Sequence, residues 1–467
     1  MFGYTLRMLT GKSALRRRLQ KHFRSVPLQQ IITAARTFPI ASRVEIHNAL
    51  NDFFAAPKNV TLFGIHSNMG HEAATLAQLL APSPMPTDIG PLQYDEIDIG
   101  EAQPVRCLKN ALWVAVEKGV PYAVLLAPSI QHGRPLGISV EIGVSSGEAA
   151  SEFSQSFFRQ LETGVNAGRA YRGRVISLEQ EQHFLGLGGA VKVHRLRKVE
   201  RKDVILPEKT LKLLERNIVT FIQVRERIKT HAFSAKKGLL FYGAPGTGKT
   251  HTIHHLASQL PGHTTLLITA EQIGWIGEYF RLARFLQPSM MIIEDVDLIA
   301  RSRDHIGSPG QEMLLNKLLN EMDGLREDAE IIFILTTNRP DNLEPALAAR
   351  PGRIDQAIEF PLPDEECRAK LVRLYSRRLE LDDSVVSMIV SKTKGTSAAF
   401  IKELMRRSAQ FQFESGKDGL LQASSVDAAL EEMVFIGGAL NLKLLGGAGA
   451  ELANGSTASF IVSRSTL

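Results

Sequence analysis

Cysteine is almost absent from this chain, with only Cys107 and Cys367 among 467 residues. The two stand far apart, which excludes a disulfide framework and a zinc-type spacing, and a reducing, cytoplasmic setting is expected. Long apolar runs are missing as well. None approaches the roughly 18–20 residues that cross a bilayer, so no transmembrane segment is expected. Acid is missing from one end: Arg7, Lys12, Arg16, Arg17, Arg18, Lys21, Arg24, Arg36 and Arg43 all precede the first carboxylate, Glu45. A stretch like this suits a transit peptide, an anchor on an anionic surface or a nucleic-acid arm. It equally suits a solvated basic helix capping the domain that follows, which is the reading taken here. What is present is ordinary for a soluble globular protein, 44% hydrophobic and 22% charged residues, and the length suits two or three domains.

The chain is organised around Gly243-Ala244-Pro245-Gly246-Thr247-Gly248-Lys249-Thr250, followed by His251. The run fits the phosphate-binding pattern G-x-x-x-x-G-K-[ST]. An apolar stretch, Gly238 to Tyr242, precedes it as a buried strand, and a helical stretch, Thr252 to Leu260, follows it. The glycines let successive backbone N–H groups curl around a phosphate chain, and the helix N-terminus adds its positive dipole end. Lys249 is then placed for β- and γ-phosphates, and the Thr250 hydroxyl for Mg²⁺, so ATP with Mg²⁺ is the expected ligand.

Further signals follow at sensible spacing. His263 to Thr269 reads as a second core strand, and Met290 to Ile293 as an apolar strand ending in Glu294 and Asp295. Two acids at a strand end suit a metal shell and the polarisation of an attacking water. Ile331 to Leu335 is another apolar strand, ending in Thr336-Thr337-Asn338; Arg350 and Arg353 come next, and Gly395 to Ala398 opens a helix in an all-helical segment.

Together these residues resemble the AAA family, ATPases associated with diverse cellular activities, over roughly residues 200–435. The stretch from Thr337 to Asp355 is similar to the family's second region of homology. The resemblance implies that Asn338 is the polar sensor, that Arg350 and Arg353 are fingers reaching a neighbouring subunit's γ-phosphate, and that Gly395 and Ala398 pack near the nucleotide. It implies a hexameric ring acting on a protein substrate. The expected fold is α/β: a P-loop NTPase three-layer αβα core with a C-terminal helical lid, preceded by a separate α/β N-terminal domain. The expected boundaries are 1–26 for the basic arm, 27–190 for a recruitment or regulatory domain, 191–361 for the large ATPase subdomain, 362–435 for the lid and 436–467 for a Gly/Ala/Ser-rich tail.

Two departures stand out. The family's usual order at the strand end is Asp then Glu, whereas here Glu294 precedes Asp295. In register, Glu294 takes the metal position and Asp295 the water position. Asp is shorter than Glu by about 1.5 Å, and a misplacement near 1 Å costs on the order of 10²-fold in rate. This order, with Ile205-Leu206-Pro207 ahead of the core, resembles the branch that includes the mitochondrial translocase of the Rieske iron–sulfur protein, whose membrane span is not seen here. Trp275-Ile276-Gly277 has the form of the loop that unfoldases of the family place in the ring's pore; the alternative is a Trp275 packed against the core.

In the N-terminal stretch, Gln29 to Thr37, Arg43 to Phe54 and Ala149 to Leu161 read as helices, and Asn59 to Ile65, Tyr122 to Ala127 and Gly137 to Ile142 as strands. His66, His71 and Glu72 match no metal template, and Asp95, Glu96, Asp98 and Glu101 read as an exposed acidic edge. Residues 181–200 read as a linker, followed by helices at 208–216 and 223–230. Three functions follow: an ATP-hydrolysing ring that remodels a protein, a nucleotide-dependent switch or scaffold with slow hydrolysis, and a nucleic-acid motor. The last has only the basic arm in its favour, so nucleic acid is not the expected partner.

Overall fold

The computed structural model describes residues 14–24, 26–56, 59–66, 74–82, 87–131, 134–179, 190–297, 310–342, 353–376, 379–416 and 419–436. They fall into two compact units. One comprises the described residues up to Arg195 together with Gly277–Leu286, and the other comprises Leu196–Ile276 and those from Gln287 onward.

The first unit is built on an antiparallel sheet. Its strands are β1 (Ile32–Phe38), β2 (Val60–His66), β3 (Asp88–Gly90), β6 (Ala111–Glu117), β7 (Val120–Gln131) and β8 (Arg134–Val144), ordered β1-β8-β7-β6-β2-β3. A separate ladder pairs β4 (Tyr94–Ile97) with β5 (Val105–Leu108), and β9 (Val175–Glu179) pairs with β10 (Ala190–His194). Alternate residues of a strand face opposite ways, and β7 uses both faces. Tyr122, Val124 and Leu126 pack with the helices Arg43–Ala55 and Glu148–Ala167 on one side. Ala123, Leu125 and Ala127 pack with the helices Ala14–His22 and Leu76–Leu80 on the other. Leu15, Leu19 and Phe23, spaced four apart and therefore on one helical face, are all buried there. The basic residues of this helix thus sit on a capping helix rather than a free arm over 14–23. Glu141 points into the same face, where its carboxylate accepts from the Leu76 N–H at 2.8 Å; burial raises its pKa.

Three expectations for secondary structure change. Gln29 to Thr37 is not a helix: a 3₁₀ turn at Leu28–Gln30 leads into β1, which pairs with β8 over its whole length. The Ala34-Ala35 pair favours helix locally, but seven paired positions beside β-branched Ile32, Thr33 and Thr37 override it. Ala190–His194, inside the stretch read as a linker, is strand β10. The two helices read at 208–230 are one continuous run, Glu208–Leu214, a π-helical segment Glu215–Thr220 and Phe221–Thr230. Residues His71 and Glu72 and the tail from 437 lie outside the described residues.

In the second unit β11 (Lys237–Tyr242), β12 (Thr264–Ile268), β13 (Ser289–Ile293), β14 (Ile331–Thr337) and β15 (Gln356–Glu359) lie in the order β12-β13-β14-β11-β15, every neighbour parallel. Their near-continuous apolar sequences are buried, as a sheet covered on both faces requires. The order brings the C-terminal ends of β11, β13 and β14 side by side, which is where ligands of parallel sheets bind. A helical bundle follows, with Glu365–Tyr375, Asp383–Lys392, Ala398–Glu414 and Ala423–Glu431 around one core that includes Ile389, Phe400, Leu404 and Val426. Among the described residues no helix is long and apolar enough to cross a membrane.

Candidate active site

Chain order at the end of β11 dictates a phosphate cradle. Gly243, Gly246 and Gly248 have φ of +150°, +76° and +104°, a region that L side chains rarely adopt. A Cβ on Gly243 would stand 2.2 Å from the Phe360 carbonyl oxygen, whereas one on Gly248 would meet nothing within 4 Å. The loop is therefore pinned at its start and open where a phosphate would lie. Gly248 caps the helix Lys249–Gln259.

Lys249 is buried, and its Nζ donates to the carbonyls of Gly243 (2.8 Å) and Ala244 (3.1 Å) across the loop. Burial lowers its pKa to about 8, against an opposing pull from Asp295 and Asp297. A phosphate chain offers the ammonium the negative partner that it lacks here, so the residues fit the ligand expected of the motif.

The two acids at the end of β13 diverge. The Thr250 hydroxyl donates to Glu294 Oε1 at 3.1 Å. Asn338 Nδ2 donates to Asp295 Oδ1 at 2.9 Å, and the Asp295 N–H donates to Thr336 Oγ1 at 3.0 Å. Asp295 has φ +50°, a left-handed conformation that Asp tolerates better than most residues. It turns the chain so that adjacent carboxylates face different partners. Asp297, fully buried, accepts from the Thr337 hydroxyl at 3.0 Å and from the Asn338 N–H at 3.3 Å. The ends of β13 and β14 are thus tied together at the residues that carry the polar groups.

These groups edge a cleft of about 400 Å³. Pro245 to His251, Asp295, Asn338 and Ala398 line it. Gly243 and Ala244 stand behind Lys249 through their carbonyls, and Glu294 behind Thr250. Gly395 does not line the cleft; its φ of +75° turns the chain ahead of the helix that begins at Ala398. That helix touches the loop directly, since the Ala399 N–H donates to the Gly246 carbonyl at 3.1 Å. His251 Nε2 lies 3.2 Å from the Asp203 carbonyl, tying the loop to the segment before the core.

Three contributions escaped the sequence. Val204, Ile205, Leu206, Leu371 and Tyr375 form an apolar wall of the cleft, suited to a base. Lys402 adds a cation from the helical bundle. Asp297 had a usable signal, a third acid just past an apolar strand; the wall comes from distant parts of the chain and had none. Among the described residues no group of three or more His, Cys, Asp and Glu is placed to hold a metal by itself. The tripeptide Trp275-Ile276-Gly277 is helical: Trp275 ends a 3₁₀ turn half-buried, and Ile276, fully buried, begins a helix.

Arg350 lies outside the described residues. Arg353 is described, and its Nε donates to Asp323 Oδ1 at 2.7 Å while Nη2 pairs with Oδ2.

Residues 239–362 match the family described as "ATPase family associated with various cellular activities (AAA)". The chain is 32% identical over 204 residues to the proteasome-activating nucleotidase of Methanothermobacter thermautotrophicus, covering 41% of this chain and 50% of that protein. It is 34% identical over 217 residues to the 26S proteasome regulatory subunit 8 homolog of Schizosaccharomyces pombe, covering 44% and 54%. It is 30% identical over 261 residues to the proteasome-activating nucleotidase of Saccharolobus solfataricus, covering 49% and 66%. The chain thus spans about half the length of the first two and somewhat less than two thirds of the third.

Proposed function

We propose that this chain, whose residues 239–362 match the AAA family of ATPases, binds ATP with Mg²⁺ in this cleft, hydrolyses it, and uses the cycle to remodel a protein. The observation that carries the catalytic reading is the divergence of the two acids, Glu294 toward Thr250 and Asp295 toward Asn338. Thr250 and Glu294 would hold Mg²⁺, which neutralises charge on the β- and γ-phosphates. Lys249 gives up its two carbonyl partners for those phosphates. Asp295 takes the proton of the attacking water while Asn338 holds that carboxylate in place. The apolar wall around Ile205 and Tyr375 receives the base.

A finger in trans requires a neighbour, and a hexameric ring in which Arg350 reaches the adjacent γ-phosphate supplies one. Relatives named as proteasome-activating and proteasome-regulatory proteins support a protein as substrate. The antiparallel-sheet unit would then recruit it. The order Glu294 then Asp295 favours one alternative, a slow nucleotide-dependent switch, since Asp at the water position reaches about 1.5 Å less far than Glu. Steady-state phosphate release from Mg-ATP separates them. Turnover near the ordinary enzyme range of 1–10³ s⁻¹, lost in Lys249→Ala, supports the motor. Tight binding with release slower by several orders of magnitude supports the switch.

A further inference from the structure

The family resemblance gives Arg350 and Arg353 the same task, but the surroundings of Arg353 give it another. Its side chain is only 11% exposed and pairs in a fork with Asp323, the last residue of the helix Gly310–Asp323. The third guanidinium nitrogen, Nη1, is enclosed and meets no acceptor. The Nε–Nη2 edge of the guanidinium is therefore taken up within its own chain. The backbone beside it is held as firmly. The Asp355 N–H donates to the Gly238 carbonyl at 2.8 Å, and the Gly238 N–H donates to Asp355 Oδ2 at 2.7 Å. A Cβ on Gly238 would fall 1.9 Å from the Arg353 carbonyl oxygen, so only glycine fits where β11 begins to pair with this segment.

We propose that Arg353 is a positioning residue acting within its own subunit. Through Asp323 it locks the segment Arg353–Asp355 to the end of the helix Gly310–Asp323, beside the base of β11, leaving Arg350 as the single finger. A bidentate Arg–carboxylate pair suits this use, because it fixes direction as well as distance. The inference rests on the reading of the site as an ATPase with a finger in trans.

The test is a charge-exchange cycle on the full chain, with Mg-ATP turnover, binding of a fluorescent ATP analogue and thermal melting read for each variant. Asp323→Ala and Arg353→Ala should each lose about 10²-fold in kcat, the cost of a finger misplaced by about 1 Å, with analogue affinity near wild type; melting falls in both, and further in Asp323→Ala, which leaves the guanidinium unpaired. The exchange Asp323→Arg with Arg353→Asp should recover at least tenfold over the weaker single reversal. Wild-type turnover in Asp323→Ala beside a dead Arg353→Ala would overturn the proposal, since Arg353 would then act without its partner. So would an exchange no better than the single reversals. A wild-type chain that binds the analogue without turning over ATP would remove the ATPase reading and this one together. The outcomes above remove this one alone.

Discussion

Replacing Asp295 by Asn separates the two acids of the site by chemistry without disturbing shape. Asn keeps a carbonyl oxygen where Asp295 Oδ1 now accepts from Asn338 Nδ2 at 2.9 Å. It also tolerates the φ of +50° at this position as readily as Asp does, so the turn that parts the two side chains survives. The Thr250–Glu294 contact is untouched, and so is the buried Asp297 that ties β13 to β14. What disappears is the basic oxygen, and loss of a positioned general base costs about 10²–10⁴-fold in rate. Asp295→Asn should therefore bind Mg-ATP with wild-type affinity by calorimetry, melt at the wild-type temperature and release phosphate at least 10²-fold more slowly. Glu294→Gln should behave differently: it keeps an acceptor for the Thr250 hydroxyl but loses charge at the metal position, so the Mg²⁺ needed for half-maximal turnover should rise. Wild-type turnover in Asp295→Asn, beside a Glu294→Gln that binds Mg-ATP normally and is chemically dead, would show the roles to be reversed.

Further predictions rest on single contacts. Lys249 has its pKa lowered to about 8 in the free protein, and a bound phosphate chain must raise it again. The complex then holds more protons than the free protein above pH 8, so ATP affinity should fall as pH rises, by up to about tenfold per unit. A pH-independent affinity from pH 7.5 to 9.5 would count against the contact between Lys249 and phosphate. Gly246→Ala should weaken ATP binding measurably, because its Cβ would stand 2.8 Å from Ala399 Cβ and its φ is +76°. Wild-type binding by calorimetry would mean that the helix at Ala398 is not needed against the loop.

The polar side of the cleft was legible because its residues are grouped locally in the sequence. Lys249 and Thr250 sit in one motif, Glu294 and Asp295 end one apolar strand, and Asn338 ends another. A parallel sheet in the order β13-β14-β11 then joins them. The apolar wall was not legible, because Ile205, Leu371 and Tyr375 carry no shared pattern until folding brings them to one cleft. Arg353 differs again: the family resemblance suggested a task for it, and its pairing with Asp323 in its own chain had no signal in the sequence. In the first unit the strands around Tyr122 were readable from their apolar alternation. β1 was not, because short Ala-rich edge strands owe their form to the strand beside them.

The central claim is that the cleft hydrolyses ATP with help from a neighbouring subunit, and mixing two inactive variants tests it most directly. Arg350→Ala keeps a complete cleft and lacks the finger; Lys249→Ala lacks the phosphate-binding ammonium and keeps its finger. A finger in trans is worth roughly 10³–10⁵ in rate, so each variant alone should be close to inactive. Mixed after dissociation and reassembly, they should recover phosphate release, because some interfaces then pair an intact cleft with an intact finger. The wild type's specific rate should rise with protein concentration over the range in which light scattering shows assembly beyond the 51.5 kDa monomer. No recovery on mixing, with a concentration-independent rate from a monomer, would contradict the account.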